Sequence, residues 1–208
     1  MHKYGFIINK LDGRSLFRLL MGRIFSINYY YVVKLNLNSP RQKRIKRDPP
    51  GDLSIMNSDD LSSIKNTIEF LGADDKREIL ARIIFYESGF RNCYVVKVDG
   101  NIVYLQWLIY PSENDIIKKY YKNIFHPLNN KTVIIENVFT YPKFRGIGYL
   151  PYFSQKLLDI VHKQGYRTAV GYIKNDKIIS LNEFYQMGFK ATKLLRERKL
   201  FGSIHRNL

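Results

Sequence analysis

The sequence is poor in cysteine and contains no long apolar run. Its 208 residues include one cysteine, Cys93, so an internal disulfide is excluded, which favours a reducing compartment. No stretch of about 18 uncharged apolar residues is present, which argues against a membrane-spanning helix. A secretory signal is also not expected, because Arg14, Arg18 and Arg23 interrupt the only apolar candidate. We therefore expect a cytoplasmic protein.

Metal-ligating residues are scarce as well. Cys93 lies in a strand-like run, where a thiol is far more often part of the core than a nucleophile. His126 precedes Pro127 and has no second ligand at a useful spacing. We therefore expect no metal site.

Acidic residues are few, and the excess positive charge is concentrated at the two ends. The chain carries 34 Lys and Arg against 18 Asp and Glu, a net charge of +16. Residues 1–50 hold 11 basic and 2 acidic residues (+9), and residues 190–208 hold 6 and 1 (+5), so the middle is nearly neutral. Composition thus predicts a basic N-terminal extension, 1–51, with an amphipathic helix, a short strand and a charged linker, followed by a domain, 52–208.

Residues 14–25 have the pattern of a basic amphipathic helix, because apolar side chains alternate there with three arginines. Such a helix could dock on the domain or lie on an anionic membrane surface. The basic run 41–47 that follows is typical of a solvated linker, and nucleic-acid binding is the less favoured interpretation of its charge. We expect the extension to serve location or stability and not catalysis.

The rest of the chain predicts alternating helices and strands. Helices are expected near 59–71, capped at Ser58-Asp59-Asp60, and near 75–86 and 116–124. Strands are expected at 53–56, 93–98, 102–109, 168–173 and 194–200, the second and third joined by the hairpin signal Asp99-Gly100-Asn101. This order implies an α/β (α+β) sandwich with helices on both faces of the sheet.

The most informative segment places two glycines between a strand and a helix. Residues 133–139 have the apolar pattern of a strand, and the apolar residues from Phe153 to Val161 recur at helical spacing. Between them, Gly146 and Gly148 would let an anionic group approach the N–H groups at the start of the helix. Pro151 must lie in the first helical turn, so the helix should begin near Gly148.

The spacing of residues in this turn distinguishes among the protein families that use glycine turns to bind phosphate. It lacks the Lys-Ser/Thr of a P-loop and the third glycine of a dinucleotide-binding turn. Residues 141–150, Tyr-Pro-Lys-Phe-Arg-Gly-Ile-Gly-Tyr-Leu, resemble instead motif A of the GNAT-type N-acetyltransferases, entered at Arg145 with Gly148 as the central glycine. The preceding strand from Glu136 and the segment 180–189, which ends in Gly-Phe, are also similar to that family. The resemblance covers roughly residues 52–200, and Leu150 departs from it, since the motif has a small residue there.

The resemblance implies a GNAT-like fold with a mixed, mostly antiparallel central sheet, and acetyl-CoA as acyl donor. Its pyrophosphate would bind at Arg145, Gly146, Ile147, Gly148, Tyr149 and Leu150. Its pantetheine arm would pair with the backbone of Val138, Phe139 and Thr140 like an added strand.

Acyl transfer to an amine requires a proton acceptor for the amine and stabilisation of the leaving thiolate. Glu136 is the best candidate for the base, because it lies on the strand beside the expected donor; strand alternation would place Val138 on the same face. The tyrosine that serves as acid in the family is replaced here by Phe184, and one helical step separates it from Tyr185. Tyr149, Tyr172 or water could protonate the thiolate instead, or it could leave without a specific proton donor. The segment 180–189 is expected to contain a helix that Ser180–Glu183 would cap and Gly188 would end.

The sequence thus predicts an acetyl-CoA-dependent N-acyltransferase whose acceptor is the primary amine of a small molecule, with an amino sugar as one candidate. One alternative is an N-acetyltransferase for proteins or peptides. A second alternative is a basic module without catalysis that binds a membrane or nucleic acid.

Overall fold

The computed structural model describes residues 25–39, 48–201 and 203–208. These residues form eight strands, namely β1 (Phe25–Asn36), β2 (Asp52–Ile55), β3 (Cys93–Val98), β4 (Asn101–Ile109), β5 (Thr132–Thr140), β6 (Thr168–Lys174), β7 (Lys190–Leu200) and β8 (Ser203–Arg206). The longer helices are α1 (Ser58–Thr67), α2 (Ala73–Glu87), α3 (Tyr149–Lys163) and α4 (Ile178–Gln186). Residues 14–24 of the predicted amphipathic helix and the predicted linker 41–47 lie outside the described residues, whereas Phe25 belongs to β1.

The strands form one sheet in the order β2-β3-β4-β5-β6-β1-β7-β8. Six of the seven neighbouring pairs are antiparallel, and β5 with β6 is the parallel pair. This confirms the mixed, mostly antiparallel sheet that was predicted. None of the described helices is long and apolar enough to cross a bilayer.

Strand β1 lies inside the sheet, although composition assigns it to the basic extension. It pairs with β6 on one side and β7 on the other, and Val33 and Leu35, together with Leu37 just after its end, are buried in the core. Burial of three aliphatic side chains stabilises the fold by several kcal/mol, at roughly 2 kcal/mol each. The composition change near residue 51 therefore does not coincide with an edge of the sheet.

Helices cover both faces of the sheet, as predicted. On one face, Ile64 of α1 and Ile79 and Ile83 of α2 pack in a core that includes Trp107 of β4 and Ile134 of β5. On the other face, helix α3 contributes Leu157, Leu158 and Val161, and α4 contributes Phe184. They pack with Val33 of β1, Val133 and Ile135 of β5 and Ala169 of β6. The alternation of β5 residues between the two cores follows from the two-residue period of a strand.

Two helix starts differ from their predictions. Helix α1 is capped by Asn57, whose side chain accepts from the Asp60 N–H while the Asp60 carboxylate accepts from the Asn57 N–H. Helix α4 begins at Ile178, so Ser180 lies inside its first turn and the predicted capping box does not form. Gly188, with φ of +95°, follows the end of α4 as predicted.

The segment between β4 and β5 also differs, because it forms short helical turns in place of one helix. These are Pro111–Glu113, Asn114–Ile116 and a π-helical turn, Ile117–Tyr121. Phe125 and Ile117 of this segment reach the same core as α1 and α2. The segment therefore covers the face of the sheet on which Tyr172 lies.

Candidate active site

The sheet opens between its two parallel strands. Strands β5 and β6 pair from Thr132–Thr168 to Ile135–Gly171, and their pairing ends there, although both continue. The next residues, Glu136 and Tyr172, therefore stand at directly opposite positions on the two sides of the opening. Ile134 and Val170, two positions earlier, both lie in the core that faces α1 and α2, so Glu136 and Tyr172 share that face.

A β-bulge shapes the β5 side of this opening. Asn137 has a left-handed φ of +54°, which is rare for residues other than glycine, and the pairing of β5 with β4 shifts by one residue at this point. Arg82 of α2 holds the bulge by donating to the backbone carbonyls of Asn137 (2.9 Å) and Val138 (2.7 Å). A buried arginine is thus stabilised by polar backbone groups that the bulge turns toward it.

The bulge overturns one expectation from strand alternation. After the extra residue, Phe139 packs in the core on the α1–α2 side, whereas Val138 packs against the core on the α3–α4 side. Glu136 and Val138 therefore lie on opposite faces, not on the same face, because the bulged residue reverses the two-residue period.

The carboxylate of Glu136 has the surroundings expected of a general base. Its Oε2 atom is buried and has no hydrogen-bond partner among the described residues. Burial raises its pKa to about 7, and the charges of Arg206 and Arg82 and the N–H of Asn137 limit that rise. A carboxyl group with this pKa changes its protonation state near neutral pH, where a general base is most effective.

The C-terminal hairpin contributes a buried ion pair to the same face. Arg206 of β8 donates from Nε to Oε2 of Glu197 on β7 (2.8 Å), and its guanidinium lies 3.9 Å from the centroid of the Tyr30 ring. Both ionic side chains are almost fully buried. The charge of Arg206 acts on both Glu136 and Tyr172. No pattern in the sequence indicated this contribution, because β8 is only four residues long.

Tyr172 has an environment that keeps its phenol neutral. Burial, as the main cause, raises its pKa, and the Glu136 charge adds to the rise. A backbone hydrogen bond from His126 and the charge of Arg206 oppose the rise without cancelling it, so the phenol keeps its proton at neutral pH. The Phe125 ring packs beside it, with 5.3 Å between the ring centroids.

The glycine turn has the geometry expected of an anion site. Gly146 and Gly148 adopt left-handed φ values of +78° and +97°, and a Cβ atom at either position would have no described atom within 4 Å. Gly148 is the N-cap of α3, which begins at Tyr149 with Pro151 in its first turn, as predicted. The start of this 15-residue helix, where the positive end of its dipole lies, therefore has open space beside both glycines.

The other residues predicted for this turn differ in their exposure and in their contacts. Ile147 is exposed, Leu150 is half-buried, and Arg145 donates to the Thr140 carbonyl (3.0 Å) and forms an ion pair with Asp75 of α2. Tyr149 is different, because its side chain is buried against Tyr104 and Phe153. Of this residue, only the backbone N–H could therefore bind an anion, because the phenol is buried in the core.

The backbone of Val138, Phe139 and Thr140 lies on the β5 side of the opening, where the predicted pantetheine arm would run. The carbonyls of Val138 and Thr140 already accept from Arg82 and Arg145. A carbonyl oxygen has two lone pairs and can accept a second hydrogen bond. An arm bound there would therefore share these carbonyls with the two arginines.

Two residues that the sequence raised as alternatives have structural roles. Phe184 is buried against Gly171 and Phe189, on the face opposite Glu136. Cys93 is fully buried in the core, and burial raises the pKa of its thiol well above the ordinary value. A thiol in that state is a poor nucleophile.

Solved structures of acetyltransferases share this fold. A putative GNAT-family acetyltransferase from Novosphingobium aromaticivorans superposes with a TM-score of 0.51 at 12% identity, covering 83% of this chain and 65% of that one. A GCN5-related N-acetyltransferase from Sphaerobacter thermophilus gives 0.55 at 14%, covering 92% and 58%. A region of a fungal β-N-acetylglucosaminidase, described as a glucosamine N-acetyltransferase, gives 0.58 at 9%, covering 88% and 22%.

This chain therefore has the fold of the GNAT-type N-acetyltransferases, as its glycine turn indicated. It spans less than two thirds of each of the three proteins named above. No protein-family model matches the sequence, and no curated protein matches it significantly. The similarity thus concerns architecture, and the chemistry has to be argued from the site.

Proposed function

We propose that this protein is an acetyl-CoA-dependent N-acyltransferase that acts on the primary amine of a small molecule. The observation that carries the proposal is the opening between β5 and β6, beside which Glu136 has a buried carboxylate oxygen, Oε2, with no hydrogen-bond partner among the described residues. The glycine turn follows the same strand, β5, and presents the start of α3 to open space. An acyl donor with a phosphate group at one end and a thioester at the other fits this arrangement.

Each end of the opening would hold a different part of the donor. The N–H groups from Gly146 to Leu150 would bind the pyrophosphate, since helix N-termini bind anions through free donors and the helix dipole. The free edge of β5 beyond Ile135 would pair with the pantetheine arm. The thioester supplies an activated acetyl carbonyl.

Glu136 and Tyr172 would divide the two proton transfers between them. As the amine nitrogen bonds to the acetyl carbon and the carbon–sulfur bond breaks, Glu136 would take the proton from nitrogen, directly or through a water. Tyr172 would give its phenolic proton to the departing thiolate and recover one from solvent. Tyr149, the other tyrosine considered from the sequence, is excluded by its position in the core.

Binding of acetyl-CoA is the first test. A ligand that binds only the folded protein stabilises it by about 2.7 kcal/mol at a hundred times its Kd, which raises the melting temperature of a chain this size by several degrees. We expect such a rise with acetyl-CoA and a smaller one with adenosine alone, which lacks the pyrophosphate. No rise at millimolar acetyl-CoA would contradict the proposal.

The acceptor can then be sought by mass spectrometry of amine mixtures incubated with the protein and acetyl-CoA. Glucosamine belongs in the first set, because the fungal neighbour is described as acting on it. Peptides with free amino termini and lysines form a second set. Acetylation of peptides alone would favour the protein N-acetyltransferase alternative, and binding without transfer to any amine would favour a module without catalysis.

The role of Tyr172 gives a separate prediction. In Tyr172→Phe the thiolate would leave without its proton donor, so kcat should fall by about 10²-fold while the Kd for acetyl-CoA stays unchanged. Tyr185→Phe is the matched control, because Tyr185 is exposed on α4 beside the position that carries the acid in the family. Steady-state kinetics of both variants decide the matter. A loss confined to Tyr185→Phe would reassign the acid.

A further inference from the structure

One face of the sheet carries exposed apolar and basic side chains beyond the end of its helical cover. Residues directly opposite one another in an antiparallel pair share a face, and the pairs here are Phe25–Leu200, Ile27–Arg198, Tyr29–Arg196 and Tyr31–Leu194. Tyr31 still packs against the α3–α4 layer, so the helical cover ends there. We refer to Phe25, Ile27, Tyr29, Leu194, Arg196, Arg198 and Leu200 as the β1–β7 face.

The β1–β7 face is unusual in its exposure. Phe25 is 61% exposed, and Ile27, Tyr29, Leu194 and Leu200 are also exposed. Phe201, which follows Leu200 in the turn to β8, is 80% exposed. A contiguous exposed apolar patch of this kind is typical of a surface that contacts a protein or a membrane.

The charge of the β1–β7 face indicates whether the N-terminal segment, a second copy of the chain or a lipid surface would bind it. Arg196 and Arg198 lie among the apolar residues, and the strand residues of the β1–β7 face include no acidic side chain. The chain that leads into Phe25 carries Arg14, Arg18 and Arg23, so it has the same sign of charge as the face. A second copy of the chain would also bring positive charge against positive charge. An anionic lipid surface complements both the arginines and the apolar side chains.

We propose that the β1–β7 face is a membrane-contact surface that binds anionic lipid bilayers. Its aromatic and aliphatic side chains would enter the interfacial region, and Arg196 and Arg198 would lie at the level of the headgroups. The opposite face of the sheet carries Tyr30, Glu197 and Arg206, so bilayer contact would leave uncovered the face on which Glu136 and Tyr172 lie.

The test is cosedimentation of the full chain with vesicles. We expect binding to phosphatidylcholine vesicles that contain phosphatidylserine and none to phosphatidylcholine alone. Binding should weaken steeply from low to high salt, since the Debye length falls from about 10 Å at 0.1 M to about 3 Å at 1 M. Arg198→Gln should reduce the affinity about fivefold, because a basic residue near an anionic surface contributes about 1 kcal/mol. Phe25→Ser should reduce it at least as much.

Matched controls lie elsewhere on the surface. Lys163→Gln removes the same charge at the end of α3, and Phe70→Ser removes an aromatic ring that is 89% exposed after α1. Both should bind vesicles within about twofold of the original chain, as neither touches the β1–β7 face. All four positions are exposed, so the substitutions should leave the fold intact.

Three outcomes would overturn the proposal. The first is absence of binding to anionic vesicles, and the second is equal binding by the face variants and the controls, which would place the contact elsewhere in the basic ends. The third is unaltered vesicle binding by the face variants together with a change in their melting temperature or oligomeric state. A lower melting temperature of Phe25→Ser would show that the N-terminal segment covers the face, and a shift from dimer to monomer in light scattering would show that a second copy does. None of these outcomes bears on acetyl-CoA binding, so this proposal can fail without the proposed function failing.

Discussion

Glu136→Gln should lower turnover by about 10²-fold or more while leaving acetyl-CoA affinity nearly unchanged, because the amide retains the shape of the side chain but cannot take a proton. The activity of the original chain should rise with pH through about 7, the pKa to which burial brings Glu136. The defect of the variant should shrink at high pH, where more of the acceptor amine is already unprotonated. Initial rates measured between pH 5.5 and 9.5 would show both effects.

The same substitution should change stability in the opposite sense. The folded protein raises the pKa of Glu136 from its ordinary 4.5 to about 7, so the protonated carboxyl is favoured by folding. The favourable contribution is complete below about pH 4.5 and is lost as the pH rises through 7. Glu136→Gln should therefore be more stable than the original chain above pH 7, by up to about 3 kcal/mol. Urea denaturation at pH 5 and pH 8 measures the difference.

A charge control separates these effects from a general change in electrostatics. Glu183 lies on α4, which covers the opposite face of the sheet, and Glu183→Gln removes the same charge. Its turnover and its pH profile should match those of the original chain. Wild-type turnover at neutral pH in Glu136→Gln would assign Glu136 a purely structural role.

Gly148→Val should abolish acetyl-CoA binding. The added side chain would project into the open space in front of α3, where the pyrophosphate is proposed to lie. It would also force a branched residue into a left-handed conformation, at a cost of about 1–2 kcal/mol. Calorimetric titration with acetyl-CoA gives the loss of binding, and thermal unfolding gives the strain.

Gly100→Val is the matched control for that strain. Gly100 has a φ of +76°, no described atom lies within 4 Å of a Cβ placed there, and it belongs to the turn between β3 and β4. It should lose similar stability and keep its acetyl-CoA affinity. If Gly148→Val binds acetyl-CoA as tightly as Gly100→Val does, the pyrophosphate site lies elsewhere.

The bulge on β5 shows why the sequence could place Glu136 on its strand but not assign its neighbours to faces. Alternation in β5 is regular up to Glu136, and the sequence marks it by a run of apolar residues. Asn137 then adopts a left-handed conformation that is held by Arg82, a residue 55 positions earlier in the chain. No local pattern specifies a contact of that range, so alternation gave the wrong face for Val138.

The helix ends show the same distinction at shorter range. Gly188 ends α4 as predicted, because a left-handed residue after a helix is a local requirement that glycine meets. The predicted capping box at Ser180 did not form, since α4 begins at Ile178 and Ser180 is already its third residue. Local hydrogen bonds compete on nearly equal terms at a helix start, and tertiary packing decides between them.

The family resemblance implied the mixed, mostly antiparallel sheet. By itself, the sequence determined most of the strands and helices between residues 52 and 200, the presence of helices on both faces of the sheet, and the glycine turn before α3. These depend on short-range periodicity and on backbone conformations that glycine allows. Only the tertiary structure decided that β1 lies between β6 and β7, that β5 and β6 separate after Ile135 and Gly171, and that Arg206 approaches Glu136 and Tyr172. Each of these brings together residues far apart in the chain. Such contacts form because they bury apolar surface and pair buried charges across the whole sheet, and no single segment encodes them.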